Sequence, residues 1–141
     1  MPAKLELGLS LTRELTVPPE WSAHRMGNPG VEVFSTPALV GWLDVLAHEC
    51  LVPTLEPGQG TVGTKVVVNH LSATPIGMRV RATARVAAID GKRIQVDVEA
   101  HDEQEQIASG FIERYIVGSM PKFLERVAAK ARGERHEPRQ R

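Results

Sequence analysis

The 141-residue chain carries 17 Lys and Arg against 17 Asp and Glu, a formal net charge of zero. That balance excludes the broad basic field with which nucleic-acid-binding proteins engage phosphates. The length suits one globular domain, and with aromatics at only 4% its core must be built from Leu, Val, Ile and Ala. Cys50 is the single cysteine, so no intrachain disulfide can form, as befits a reducing compartment. No basic leader precedes an apolar run, and no apolar run approaches the ~18 residues that cross a bilayer. A soluble cytoplasmic protein is expected. Charge is nevertheless uneven. From Lys122 to Arg141 seven basic residues face three acidic ones, so this end is +4 and the remainder −4. The plain reading is a solvated helix and a frayed, charged tail over residues 132–141, leaving one domain over residues 1–131.

In chain order, Leu5-Glu6-Leu7-Gly8-Leu9-Ser10-Leu11 alternates with the period of a half-buried strand, which Pro18 and Pro19 end. Residues 20–32 lack an apolar pattern and read as a loop or lid. Thr36 reads as an N-cap, followed by Pro37 at the first helical position, where its missing N–H does little harm. Leu39, Leu43, Leu46, Ala47, Cys50 and Leu51 then recur at helical spacing, until Pro53 and the 56–60 stretch stop the helix. Apolar residues cover so much of its circumference that a sheet is expected to wrap it. Strands follow over residues 61–69, 78–86, 94–100 and 107–117, separated by a turn at Thr74-Pro75-Ile76-Gly77, the hairpin signal Asp90-Gly91 and a polar turn over residues 102–105. A short amphipathic helix with Phe123, Val127 and Ala128 on one side closes the pattern. A strand, a long helix and four antiparallel strands in a meander make an α+β architecture.

Three side chains stand out chemically. Thr36 sits at the helix start, and Asp44 lies two turns on along the stripe through Val40. A carboxylate on a largely buried helix is costly unless paired or functional, so Asp44 either faces solvent, pairs with His48 one turn on, or serves a site. His70 ends a β-branched strand where an imidazole can face a cleft or simply the surface. Gly63, early in the same strand, marks a bulge or a close backbone approach. His24, His101 and His136 read as exposed. No spacing of His, Cys, Asp and Glu suggests a metal site, and no glycine-rich loop cradles phosphate.

From Glu32 to Val117 the chain resembles the fluoroacetyl-CoA thioesterase family of hotdog proteins. The resemblance rests on Val33-Phe34-Ser35-Thr36 with Val40-Gly41, Leu55-Glu56-Pro57-Gly58 with Gly60, and Gly63-Thr64. It continues through His70, Ala73-Thr74-Pro75 with Gly77, Ala100-His101-Asp102, Ser109-Gly110 and Glu113-Arg114. It implies a curved antiparallel sheet wrapped around one long helix, and an acyl-CoA thioesterase. By that resemblance Thr36, Asp44 and His70 are catalytic, and Gly63, Thr64 and Arg114 are substrate-binding. CoA is part of the substrate and no separate cofactor is implied. A homodimer is expected, with His70 supplied to the site from either subunit. The basic C-terminal stretch gains a second reading, as a holder of CoA phosphates.

Three departures from the family pattern matter. Its helix carboxylate is Glu where Asp44 stands, about one methylene shorter. Its two lid phenylalanines fall near Gly27 and Gly30. Its glycine after the threonine is Pro37. The expected mechanism has Asp44 attacking the thioester or activating a water, His70 shuttling protons, Thr36 positioning, and Gly63 offering an amide to the oxyanion. The alternative is a non-catalytic module that binds acyl-CoA as a sensor or scaffold. A hotdog hydratase is disfavoured because the Asn-containing motif that such enzymes carry between Asp and His is absent.

Overall fold

Period-2 alternation and one helical stripe produce seven main elements in the computed structural model, which describes residues 2–134. In order they are β1 (Ser10–Thr16), α1 (Thr36–Leu51), β2 (Gly60–His70), β3 (Arg79–Asp90), β4 (Arg93–Asp102), β5 (Gln106–Val117) and α2 (Met120–Ala131). The five strands form one antiparallel sheet in the order β1-β3-β4-β5-β2. Alternate residues turn to one side. Val80, Ala82, Ala84 and Val86 of β3 and Ile94, Val96, Val98 and Ala100 of β4 are buried, while Arg81, Arg85, Asp97 and Glu99 between them are not.

Against that apolar face lies α1, whose Leu39, Leu43, Leu46, Ala47, Cys50 and Leu51 are all buried and which touches every strand. This is the α+β hotdog arrangement. Small residues at Ala82, Ala84, Ala100 and Ala108 let the sheet curve close to the helix, so the layers meet with few large aromatic rings.

The expected four-strand meander needs correction. Only β3, β4 and β5 follow one another, and β2 lies at the far edge, paired to β5 from Gly60↔Val117 to His70↔Ala108. The link between β2 and β3 is too long for a tight hairpin and crosses the helix entry instead. There Thr74 O accepts from Phe34 N at 2.8 Å, and Gly77 N donates to Val17 O at 2.9 Å. The first strand also starts later than the Leu5–Leu11 alternation suggests. Gly8 adopts φ 89° and turns the chain, so ladder pairing with β3 begins only at Ser10↔Arg85. Leu5 and Leu9 still pack on the core from outside the ladder.

The centre of the sheet requires one glycine. A Cβ at Gly110 would lie 1.9 Å from Val67 O, so β2 and β5 approach there more closely than any side chain permits. At the sheet's end, α2 is capped by Ser119, and Met120 packs over Gly60. Phe123 and Ala128 are half-buried as their spacing predicts, whereas Val127 is 50% exposed. Of the charged tail, Arg132 binds Glu125 at 3.0 Å and Glu134 at 2.6 Å. Residues 135–141 lie outside the described residues.

Candidate active site

The start of α1 carries two adjacent hydroxyls, Ser35 and Thr36. The expected cap was Thr36, but Ser35 holds the N-cap position, at φ −72° and ψ 150°, and its Oγ accepts from Ala38 N at 3.2 Å. Thr36 is therefore the first helical residue, and Pro37 the second. The correction has a physical consequence. With the backbone donor already satisfied by Ser35, the Thr36 hydroxyl is free to face across to β2, where its Oγ1 lies 2.7 Å from His70 Nδ1. Ser35→Ala is expected to loosen the helix start by about 1 kcal/mol, read by thermal denaturation, whereas Thr36→Ala should leave the cap in place.

His70 is half-buried, and its Nε2 is enclosed without a hydrogen-bond partner among the described residues. Burial lowers the imidazole pKa below its ordinary 6.5, against a smaller opposing pull from the Ser72 backbone. With Nδ1 engaged by Thr36, the second ring nitrogen is the one left to accept or donate a proton.

Two helical turns further along, a second cluster forms. Asp44 Oδ1 accepts from Arg114 Nη1 at 2.8 Å. Arg114 is 8% exposed and also donates to Thr61 Oγ1 at 3.1 Å and Thr61 O at 3.0 Å. Thr61 in turn meets His48 Nδ1 at 2.6 Å. His48 is likewise held below 6.5, by burial first and by the Arg114 charge second. The suggested pairing of Asp44 with His48 is thus replaced by pairing with Arg114, which reaches between them. Gly63 passes directly over this cluster. A Cβ there would stand 3.0 Å from Arg114 Nη1 and 3.4 Å from Asp44 Oδ1. The ladder shifts register between Gly63 and Lys65, as the bulge reading of Gly63 anticipates. Thr64, within that bulge, directs its hydroxyl to Glu113 Oε2 at 2.6 Å.

Thr36 and His70 therefore meet, and Asp44, Gly63 and Arg114 meet, but the two groups stand apart within one chain. Eight residues of α1 separate Thr36 from Asp44, about 12 Å along the axis. Arg114 is seated as the partner that orients Asp44, which its grouping with substrate-binding residues did not anticipate. A signal was available: Arg114 shares a strand face with buried Ile112 and Ile116, where an unpaired guanidinium would be prohibitive. Thr61 completes the same network and had no role in the sequence reading, and His48, weighed there only as a partner for Asp44, joins it through Thr61.

In the lid, Gly27 has φ 104° and Gly30 φ 85°, conformations that side chains rarely adopt. Gly30 N donates to His24 Nδ1 at 2.7 Å, holding the loop in that shape. Beneath it, Trp21 stacks on Phe34 at 6.1 Å between ring centroids, and Phe34 meets Trp42 at 6.4 Å. Among the described residues no group of three His, Cys, Asp or Glu side chains is placed to hold a metal ion.

Both histidines have lowered pKa values, so the folded state disfavours their protonation. Stability is fully present above pH ~6.5 and is lost as pH falls through the folded-state values. A melting series from about pH 8 to about pH 5 should decline below the ordinary histidine value. The decline should shrink when His48 is replaced by Gln.

A long helix against a five-stranded sheet, with Thr, His and a half-exposed Asp paired to a buried Arg along one side, defines a hotdog protein of the thioesterase superfamily. The chain belongs to the fluoroacetyl-CoA-specific thioesterase family, which it matches over residues 17–120. It is 33% identical over 134 residues to the fluoroacetyl-CoA thioesterase of Streptantibioticus cattleyicolor, an alignment covering 91% of this chain and 93% of that one. A crystal structure of a variant of the fluoroacetyl-CoA-specific thioesterase, in complex with fluoroacetate and CoA, superposes with a TM-score of 0.79 at 33% identity, covering 84% of this chain and 99% of that one. A Thermus thermophilus hypothetical protein, a thioesterase superfamily member, gives a TM-score of 0.82 at 28% identity, covering 93% and 98%.

Proposed function

We propose that the protein hydrolyses a small acyl-CoA to the carboxylic acid and CoA. The observation that carries this reading is the Thr36–His70 contact of 2.7 Å together with the enclosed, unpartnered Nε2. Thr36 fixes the ring, and Nε2 serves as the atom that moves protons. Asp44 acts as nucleophile or general base: Arg114 holds Oδ1, leaving the other carboxylate oxygen to attack the carbonyl or take a proton from water. The C–S bond breaks, and CoA leaves with a proton that His70 relays from the attacking water. On the nucleophilic route that water cleaves the Asp44 anhydride, releasing the carboxylic acid and restoring the carboxylate. The amide of Gly63, beside Asp44, and the positive end of α1 of the other subunit in the dimer proposed below favour the developing oxyanion. CoA enters as part of the substrate, and the proposed chemistry calls for no cofactor. The buried free thiol of Cys50 supports a reducing, cytoplasmic setting.

We further propose a homodimer that unites the two clusters. β2 is an edge strand of 11 residues with Val66 and Val67 exposed, a template for pairing with a second copy. Antiparallel pairing about a centre between Val66 and Val67 sets residue 63 opposite residue 70 of the other copy. That register carries the partner subunit's His70 to Gly63, and so to Asp44 beneath it.

The test is a panel of acyl-CoAs assayed with a thiol-detecting dye beside a binding measurement. Release of CoA from short acyl-CoAs is expected, with little preference for fluoroacetyl-CoA over acetyl-CoA, because glycines occupy the lid. Binding without turnover would replace the hydrolase with a non-catalytic acyl-CoA-binding module.

A further inference from the structure

Beyond the reacting groups, the end of the sheet holds a groove of about 530 Å³ where the β3–β4 turn meets the start of α2. Its lining includes Lys92, Lys122 and Arg126, and it contains no carboxylate. Among the described residues none of these three cations has an ion-pair partner, and all three are exposed. The nearby acids are engaged elsewhere, Glu125 by Arg132 and Glu113 by Arg93. Three like charges around one hollow repel one another unless an anion lies between them. The backbone makes room for the arrangement. Gly118 has no left-handed φ that would demand glycine, yet a Cβ there would stand 3.2 Å from Lys92 Nζ. A second groove, about 260 Å³ near Glu14 and Arg81, neutralises itself through the 2.9 Å ion pair between those two side chains.

We infer that Lys92, Lys122 and Arg126 bind the phosphate-bearing nucleotide end of the thioester substrate. The inference rests on the acyl-CoA reading above and gives it a second point of attachment. Arg114, beside Asp44, and Gly118, in the groove, are four residues apart along β5 and its exit, about 13 Å of extended chain. An extended pantetheine arm spans such a gap, so the thioester can reach Asp44 while its phosphates rest on the three cations. The α2 N-terminus contributes only its dipole, because its first amides are already used. Met120 N donates to Gly58 O, and Lys122 N to Ser119 Oγ. Guanidinium and ammonium groups therefore do the binding, by charge-assisted hydrogen bonds.

The experiment compares the wild type with K92Q/K122Q/R126Q, all surface positions, by calorimetry with adenosine 3′,5′-bisphosphate and separately with inorganic phosphate. Bisphosphate binding is expected to weaken by at least about tenfold in the variant, while inorganic phosphate binds both proteins poorly. In turnover, the preference for acetyl-CoA over S-acetylpantetheine should fall by about tenfold. Unchanged bisphosphate affinity in the variant overturns the inference, as does a wild type that binds inorganic phosphate as well as the bisphosphate. If the variant loses bisphosphate binding but the wild type hydrolyses no thioester, the site stands and the hydrolase reading fails instead.

Discussion

His70→Ala and Asp44→Asn are each expected to lower turnover of acetyl-CoA by at least ~10²-fold without unfolding the protein. Asparagine keeps an oxygen for Arg114 Nη1, so the 2.8 Å contact survives while nucleophilicity and basicity are lost. Alanine at position 70 removes a half-buried ring from a strand end and leaves the Ser35 cap intact. Mixing the two inactive proteins is the more searching measurement. If each site draws Asp44 from one subunit and His70 from the other, a mixed dimer contains one intact pair and one doubly defective pair. Random reassortment then restores about a quarter of the wild-type rate. A mixture as inactive as its parents would show that the two side chains are not shared between subunits. Wild-type rates in both folded variants would remove them from the mechanism altogether.

The largest effect on folding is expected at Gly110. Its Cβ position lies 1.9 Å from Val67 O and 2.8 Å from Val67 C, both backbone atoms that cannot swing aside. Gly110 also pairs with Val98 of β4 and Val68 of β2, so moving it disturbs three strands at once. Gly110→Ala should therefore destabilise by about 3 kcal/mol or more, measured by urea denaturation of the full chain. A change below about 1 kcal/mol would mean that β2 yields easily. The exposed edge at Val66 and Val67, where a second copy is proposed to pair, would then be less firmly shaped than the ladder implies.

The stripe of α1 was readable residue by residue, because Leu39, Leu43, Leu46, Ala47, Cys50 and Leu51 repeat at a period that only a helix can bury on one side. Strand faces were equally readable from alternation. Strand neighbours were not. Alternation says which side of a sheet a residue faces, not which strand lies beside it, and so β2 was placed next to β3 when it pairs with β5. The helix start shows a finer limit. Ser35 and Thr36 are both good caps by composition, and only the backbone angles decide which hydroxyl turns inward. The Asp44–Arg114 pair joins residues 70 apart, a contact that only the folded sheet brings about. The family resemblance named Thr36, Asp44 and His70 together and allowed His70 to come from a second subunit, but only the folded chain shows Thr36 with His70 in one group and Asp44 with Arg114 in another.

The loop before α1 constrains which side chains it can carry. With Gly27 at φ 104° and Gly30 at φ 85°, the backbone itself is set against bulky side chains. Two codon changes to phenylalanine would therefore strain the loop before any ring reached the acyl group. Bulky side chains at these two positions thus call for a change of loop backbone and not for two point substitutions alone.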